Sequence, residues 1–380
     1  MFTVIQLTVR ITYSYLYLFL IQNKLGLSES DTLIDLSYFI LIFLNLGTFG
    51  LNNFRILNTS VLSKKYFYSY CVNGILCGFF ISLLLLKEYD FTALLLIFFS
   101  CFLHFEILVY CIKNKLIVRY QLALNSQLIF LLCFLFIFPE TKVYIYLAFL
   151  LSYSLNVIYL PSDFWKNFKL WYSIKAIGNS LKIRKIKSFW SLYKYYILNN
   201  ILGLLGWAFI PLLFRKIIFS ENLAAGIDYE TSIRISFIAF SVSSIATTQF
   251  LIRNKKMKII WIKWTIMMFY LLIPIIFIFN TQIYNLLKAV QIFPKSLEDY
   301  ILLIMILNGA LISLLVLLKG FATKKNLLRM VYKIDILILT LLMASSLAFL
   351  ESKFSYASYF LWIYIPYFIN SNLKKFGIIS

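Results

Sequence analysis

With one histidine in 380 residues, His104, the chain cannot build a multi-histidine metal site, and no carboxylates within one segment have metal-ligand spacing. No metal is expected. Cysteine is nearly as scarce: Cys71, Cys77, Cys101, Cys111 and Cys133 all fall inside apolar runs, form no CxxC pair, and read as packing residues. Charge is scarce too, at 13%, and acids are the rarer sign, 15 against 36 Lys and Arg. The sequence has no Gly-rich phosphate loop and no Ser-His-Asp constellation, so an ATP-driven pump would need its nucleotide-binding domain elsewhere.

What the chain has instead is apolar length. Hydrophobic residues make up 62% of it, an excess that no soluble core requires, so lipid is the expected solvent. A spanning helix takes about 20 mostly apolar residues. Runs of that kind fall at about 4–22, 34–54, 68–86, 91–112, 117–138, 142–160, 196–218, 232–252, 259–279, 300–318, 330–349 and 354–370. They are longer than the roughly ten residues of a tilted barrel strand and lack polar alternation, which predicts an all-α membrane protein of about twelve transmembrane helices. No small-residue cleavage site follows the first run, so it is expected to be a retained helix.

The cations set the orientation, because short loops rich in Lys and Arg stay in the cytoplasm. Alternate connections carry 26 cations, among them Lys64, Lys113, Arg253, Lys319, Arg329, Lys333 and Lys374, and these are read as inside. The other connections carry nine cations and twelve acids and are read as outside. Both termini are then cytoplasmic. A net charge of +21 distributed as short clusters between apolar runs is not the continuous basic face that nucleic acid requires.

The longest connection, 161–195, carries eight cations, the single acid Asp163, and Trp165, Trp171 and Trp190. Interleaved rings and lysines suit a segment lying on the anionic inner leaflet, although a solvated linker has the same composition. Either way it divides the chain into an amino-terminal six-helix bundle, 1–160, and a carboxy-terminal one, 196–380. An even number of helices per half gives both the same orientation, as in parallel repeats.

The outer connections are short, the longest being about 280–299, so an external enzyme would have to build its site inside the bundle. The strongest enzymatic hint is the pair Glu29 and Asp31 in the first outer loop, where a carboxylate could serve as a base; the simpler expectation is solvated loop charge. Ionisable groups at membrane depth are costly and tend to face a cavity or a partner. Arg10, about six residues into the first run, is the leading lumen candidate. His104 and Glu106 lie in the fourth run but point about 200° apart on a helix. A buried carboxylate such as Glu106 would suit coupling to a cation. Asp335 is a third ion-coupling candidate, though its position two residues after Lys333 also fits a local ion pair. Finally Arg215, Lys216 and Arg234 sit on the acidic, outer side, against the positive-inside rule. They could attract an anion such as a phosphate, or pair with Glu221, Asp228 and Glu230 of their own loop.

The stretch from Leu213 to Ile235, LFRKIIFSENLAAGIDYETSIRI, resembles the segment joining the seventh and eighth helices of Wzx-type polysaccharide-repeat flippases, in the multidrug and oligosaccharidyl-lipid exporter superfamily. Arg215, Gly226, Ile227, Tyr229 and Arg234 carry the likeness, while Phe214 replaces an Asp and Asp228 interrupts a Gly-Ile-Tyr turn. The stretch Asn23 to Leu57 is similar to that family's first loop and second helix through Gly26, Phe49, Gly50, Leu51 and Arg55. The chain is somewhat short for the family, which leaves short loops. The resemblance implies two six-helix bundles of the kind found in the superfamily. It also implies alternating access, and an undecaprenyl-pyrophosphate-linked oligosaccharide moved across a bacterial inner membrane for O-antigen, capsule or exopolysaccharide assembly. By position, Arg10, Arg215, Lys216 and Arg234 would be the lumen cations that hold the pyrophosphate. No cofactor is implied, proton or sodium coupling stays open, and the expected partners are the lipid-linked substrate, membrane lipids and other polysaccharide-assembly proteins. A repeat-unit polymerase or lipid-linked glycosyltransferase of the same pathway is the alternative. A cation-coupled drug antiporter is less favoured, because the runs offer few carboxylates beyond Glu106.

Overall fold

The computed structural model describes residues 2–48, 90–113, 116–137, 141–159, 201–219, 221–234, 299–324 and 327–372, with isolated positions at 194, 198, 199 and within 267–289. The described residues are almost entirely helical, with no strand among them. In chain order the helices are α1 (Phe2–Phe19), α2 (Leu27–Thr48), α3 (Phe91–Lys113), α4 (Ile117–Ile137), α5 (Lys142–Ser154), α6 (Ile201–Ile218), α7 (223–234), α8 (Asp299–Lys324), α9 (Leu328–Leu350) and α10 (Ser355–Asn372). Nine of the expected apolar runs are occupied by these helices. The runs at 68–86, 232–252 and 259–279 fall wholly or largely outside the described residues, as does the basic segment 161–195 apart from Lys194.

Four helices among the described residues are long and apolar enough to cross a membrane: Val118–Ile137, Ile201–Ile218, Leu303–Gly320 and Leu328–Leu350. The side chains they and their neighbours leave outside are also apolar, with Ile217, Phe360 and Ile363 about 70% exposed (69%, 68% and 71%). A water-soluble surface would not present such residues together, whereas hydrocarbon covers them without cost. The chain is therefore a helical membrane protein.

Lipid also explains how the hydroxyls are handled. Ser14, Ser37, Ser100, Ser126, Thr231, Ser232, Ser313, Thr340, Ser345 and Ser346 each donate to the carbonyl four residues earlier in their own helix, at 2.6–3.0 Å. Where no water is available, this back-bonding satisfies the O–H without breaking the helical ladder. Pro366 lies inside α10 and is buried, a placement that costs a soluble helix dearly but is common in membrane helices.

The chain forms two compact units, residues Met1–Asp31 with Ile210–Ser380, and residues Thr32–Phe209. In the second unit α3, α4 and α5 pack together. Ile107, Cys111 and Ala123 form a fully buried patch there, and Ser100 bonds Ser154 while Ser126 donates to Asn156, both at 3.0 Å.

In the first unit α8, α9 and α10 meet around Asn308. Its amide donates to Ser345 and Ser358, each at 2.9 Å, and its oxygen accepts from the Trp362 indole at 2.8 Å. All four residues are buried. A satisfied polar hub of this kind ties three apolar helices into one arrangement where greasy surfaces alone would slide. The helix α7 is fixed to α9 by Tyr229, whose hydroxyl bonds Ser346 at 2.8 Å and whose ring packs on Phe214, Phe219 and Phe349.

Candidate functional site

Three stretches of helix among the described residues are π-helical, Leu20–Lys24, Leu205–Phe209 and Phe214–Ile218. Such wide turns are infrequent and gather at functional places. Two of them flank one ionic cluster within the first unit.

The first π turn ends α1, and the extended Leu25 then lets the chain start α2 at Leu27. Ser30 closes the corner by donating from its hydroxyl to the Ile21 carbonyl at 3.0 Å. That corner sets Asp31 one turn into α2. The second turn carries Arg215 and Lys216. Arg215 is 3% exposed and donates from Nη1 to Asp31 Oδ1 at 2.7 Å, while Lys216 Nζ reaches Asp31 Oδ2 at 3.2 Å. Consecutive residues of an α-helix point about 100° apart; the widened turn lets both reach one carboxylate. Gly226 completes the seat. A methyl group there would come to 3.2 Å from the Arg215 stem and 3.4 Å from Phe219, so the buried arginine lies directly against the glycine.

Beside this pair, Arg234 forms an ion pair with Glu230 one turn earlier on α7 and places its guanidinium 4.1 Å from the centre of the Tyr17 ring. The ring face attracts the cation that the carboxylate already holds. Gln22, in the first π turn, donates to Thr231 at 2.6 Å and to Asp228 at 3.4 Å. Burial holds the Tyr229 phenol well above its usual value, so it is a neutral hydrogen-bonding group.

The structure therefore brings Arg215, Lys216 and Arg234 into one cluster; Arg234 pairs with Glu230 of its own stretch, while Arg215 and Lys216 take a different partner, Asp31. Glu221 is exposed at the loop. Asp31, expected as solvated loop charge, is helical, only 18% exposed and shared between two cations. The reason is the corner at Leu25, which carries it 184 residues across the sequence to Arg215. Three cations are thus gathered with three carboxylates, Asp31 and Glu230 in ion pairs and Asp228 through Gln22.

Arg10 is half-buried on α1, with its carbonyl accepting from Ser14 at 2.9 Å. It precedes Tyr13 and Tyr17 by three and seven residues, which sets all three on one helical face. The Tyr13 and Tyr17 rings lie 5.9 Å apart along that face, and Arg234 stands over the second. Arg10 is thus about two turns below the cluster on the helix that carries part of it.

The ion-coupling candidates lie elsewhere. His104 is buried on α3, its ring edge-on to Tyr153 at 5.3 Å, and its Nδ1 has no hydrogen bond among the described residues. Glu106 lies on the same helix, its side chain outside the described residues. Asp335 is buried and paired, but with Lys319 of α8 at 2.6 Å and not with Lys333. Residues two apart on a helix diverge by about 200°, which turns Lys333 away from Asp335. Among the described residues no group of three His, Cys, Asp or Glu could hold a metal.

Sequence reasoning missed Tyr17, Gln22 and the Asn308 hub. A lone Asn in the middle of an apolar run was the signal for the last. No family model, no curated protein and no solved structure matches the chain.

Proposed function

We propose that the chain is a flippase of the polysaccharide-repeat kind. It carries an undecaprenyl-pyrophosphate-linked oligosaccharide from the cytoplasmic to the outer leaflet of a bacterial inner membrane. In this reading about twelve spans form two six-helix bundles, 1–160 and 196–380, with both termini cytoplasmic, and the bundles alternate in access.

The supporting observation is the sharing of one carboxylate, Asp31, between Arg215 and Lys216. A pyrophosphate has more charge and more acceptor oxygens than a carboxylate, and a guanidinium fork beside an ammonium is well suited to replace one with the other. Because the cluster holds as many carboxylates as cations, capture is an exchange of counter-ions and not a long-range attraction. Arg234 and then Arg10, along one face of α1, give the released phosphate further cations to meet. With both oxygens of Asp31 engaged by cations, the carboxylate is a poor general base, which favours transport over the polymerase or transferase reading. Proton or sodium coupling, with Glu106, His104 or Asp335 as the titrating group, needs no cofactor.

Deletion of the gene tests the reading. Undecaprenyl-linked single repeats are expected to accumulate on the cytoplasmic leaflet; accumulation on the outer leaflet would mean a polymerase defect instead. Arg10→Ala and Arg215→Ala should each impair surface polysaccharide while the protein stays in the membrane, and normal polysaccharide in both would remove the proposed site. Reporter fusions at Lys182 and Gln291 check the topology, which fails if residue 182 is periplasmic.

A further inference from the structure

Away from the ionic cluster, α9 and α10 run side by side, joined by the short connection 351–354, and a cavity of about 400 Å³ opens between them. Lys333 stands at one end of it with Ser371 and Asn372. Its walls are Ile336, Leu337 and Phe368, with Tyr364 and Tyr367 along the rim. Helical spacing explains the segregation. Positions 333, 336 and 337 share one stripe of α9, and 364, 367, 368, 371 and 372 share one stripe of α10, so each stripe passes from apolar to polar at the same end of the pair.

We infer that this groove binds the headgroup and first chain carbons of an anionic phospholipid, with the phosphate at Lys333 and hydrocarbon against Ile336 and Phe368. The inference rests on the topology proposed above, which puts this end of α9 at the cytoplasmic, anionic leaflet, and not on the identity of the transported substrate.

The charge pattern at the mouth is specific to an anion. A helix ordinarily ends in bare carbonyls that repel a phosphate. Here the Phe368 carbonyl accepts from Ser371 Oγ at 3.0 Å and from Asn372 Nδ2 at 2.8 Å, so one acceptor of that last turn is capped by side-chain donors. At the same end α9 begins, at Leu328, offering the positive end of its dipole. Lys374 and Lys375 follow Asn372 in the sequence within three residues. The walls select a lipid over a free phosphate. Ile336 is 38% exposed and Tyr367 70%, apolar and amphipathic surface of the kind that sits at headgroup level and is covered by chains. The volume lies within the roughly 300–1,000 Å³ of small-molecule sites, enough for a glycerophosphate head but not for a whole lipid, whose tails would continue into the bilayer.

The test counts lipids retained by the full-length protein. Purified protein in detergent is given equal amounts of phosphatidylglycerol and phosphatidylcholine, and bound lipid is read by native mass spectrometry. Lys333→Glu is expected to lower the ratio of phosphatidylglycerol to phosphatidylcholine about tenfold. Arg329→Glu, which reverses an exposed charge of the same helix end outside the cavity lining, should change it less than about twofold. Equal losses in both variants would mean diffuse surface attraction, and no loss in either would mean no site at Lys333; each overturns the inference. Displacement of phosphatidylglycerol by millimolar inorganic phosphate from the unaltered protein would also overturn it, in favour of a soluble anion. A flippase-negative result in the deletion strain leaves this measurement untouched, so the two proposals fail separately.

Discussion

Replacing Asp31 asks how much of the ionic cluster depends on one carboxylate. Removing the partner of a fully buried charge costs about 3–5 kcal/mol, and Arg215, 3% exposed, is such a charge. Asp31→Asn keeps an oxygen for the Arg215 N–H at the position now 2.7 Å away, so its cost should fall to about 2 kcal/mol, the worth of a charged hydrogen bond reduced to a neutral one. The Lys216 limb, 32% exposed, should contribute below about 1 kcal/mol. A double-mutant cycle separates the two limbs. Asp31→Asn with Arg215→Met should show a coupling of about 2 kcal/mol, and Asp31→Asn with Lys216→Met about 0.5 kcal/mol or less. The assay is denaturant unfolding in mixed micelles, followed by near-ultraviolet circular dichroism on the single and double variants. Additivity of Asp31 and Arg215 within about 0.5 kcal/mol would refute the reasoning, since charges that are truly each other's partners cannot be lost independently.

Asn308→Leu should destabilise by about 1–3 kcal/mol in the same assay. Most of that cost would come from the stranded Trp362 N–H, because the Ser345 hydroxyl already donates to Leu341. Lys319→Met should cost about 3–5 kcal/mol by leaving Asp335 buried without its cation, and Asp335→Asn added to it should recover most of that loss; Lys333→Met should cost under about 1 kcal/mol. Gly226→Ala should change stability by less than about 1 kcal/mol, because the helix gain of alanine over glycine offsets the press of its methyl on the Arg215 stem at 3.2 Å, yet it should lower surface polysaccharide more than it lowers the amount of protein in the membrane.

The parts of this fold that could be read from the sequence are those set by local chemistry. Apolar runs place α1, α3, α4, α8, α9 and α10 nearly where the helices lie, because in lipid a run of that length has no other way to satisfy its backbone. The same charge counting isolated Arg215, Lys216 and Arg234 as cations on an acidic side. It offered Glu230, which Arg234 does hold, but not the partner of Arg215 and Lys216. Asp31 reaches Arg215 only through the corner at Leu25 and Ser30, and a sequence of polar residues after an apolar run reads equally well as a solvated loop. Arg234 illustrates the opposite limit: Glu230, one turn away, was within reach of the pattern, but Tyr17, whose ring it covers, lies 217 positions earlier. Asp335 shows that nearness along the chain misleads when the helix turns the nearer cation away.

The π turns have a consequence beyond aiming two side chains at one carboxylate. Each is a surplus residue stored in the spiral, and a stored residue can travel: shifting it by one place trades a single backbone bond for another while the outer end of the helix turns by a fraction of a revolution. A helix with such slack can re-aim Arg215 in small steps without melting. It should also tolerate shortening. Deleting Ile217 from the Phe214–Ile218 turn restores ordinary α geometry, with the irregular connection after Ile218 to absorb the change, whereas deleting Leu314 from the uninterrupted α8 rotates everything beyond it by about 100°. The first variant should reach the membrane in near-normal yield and the second should not.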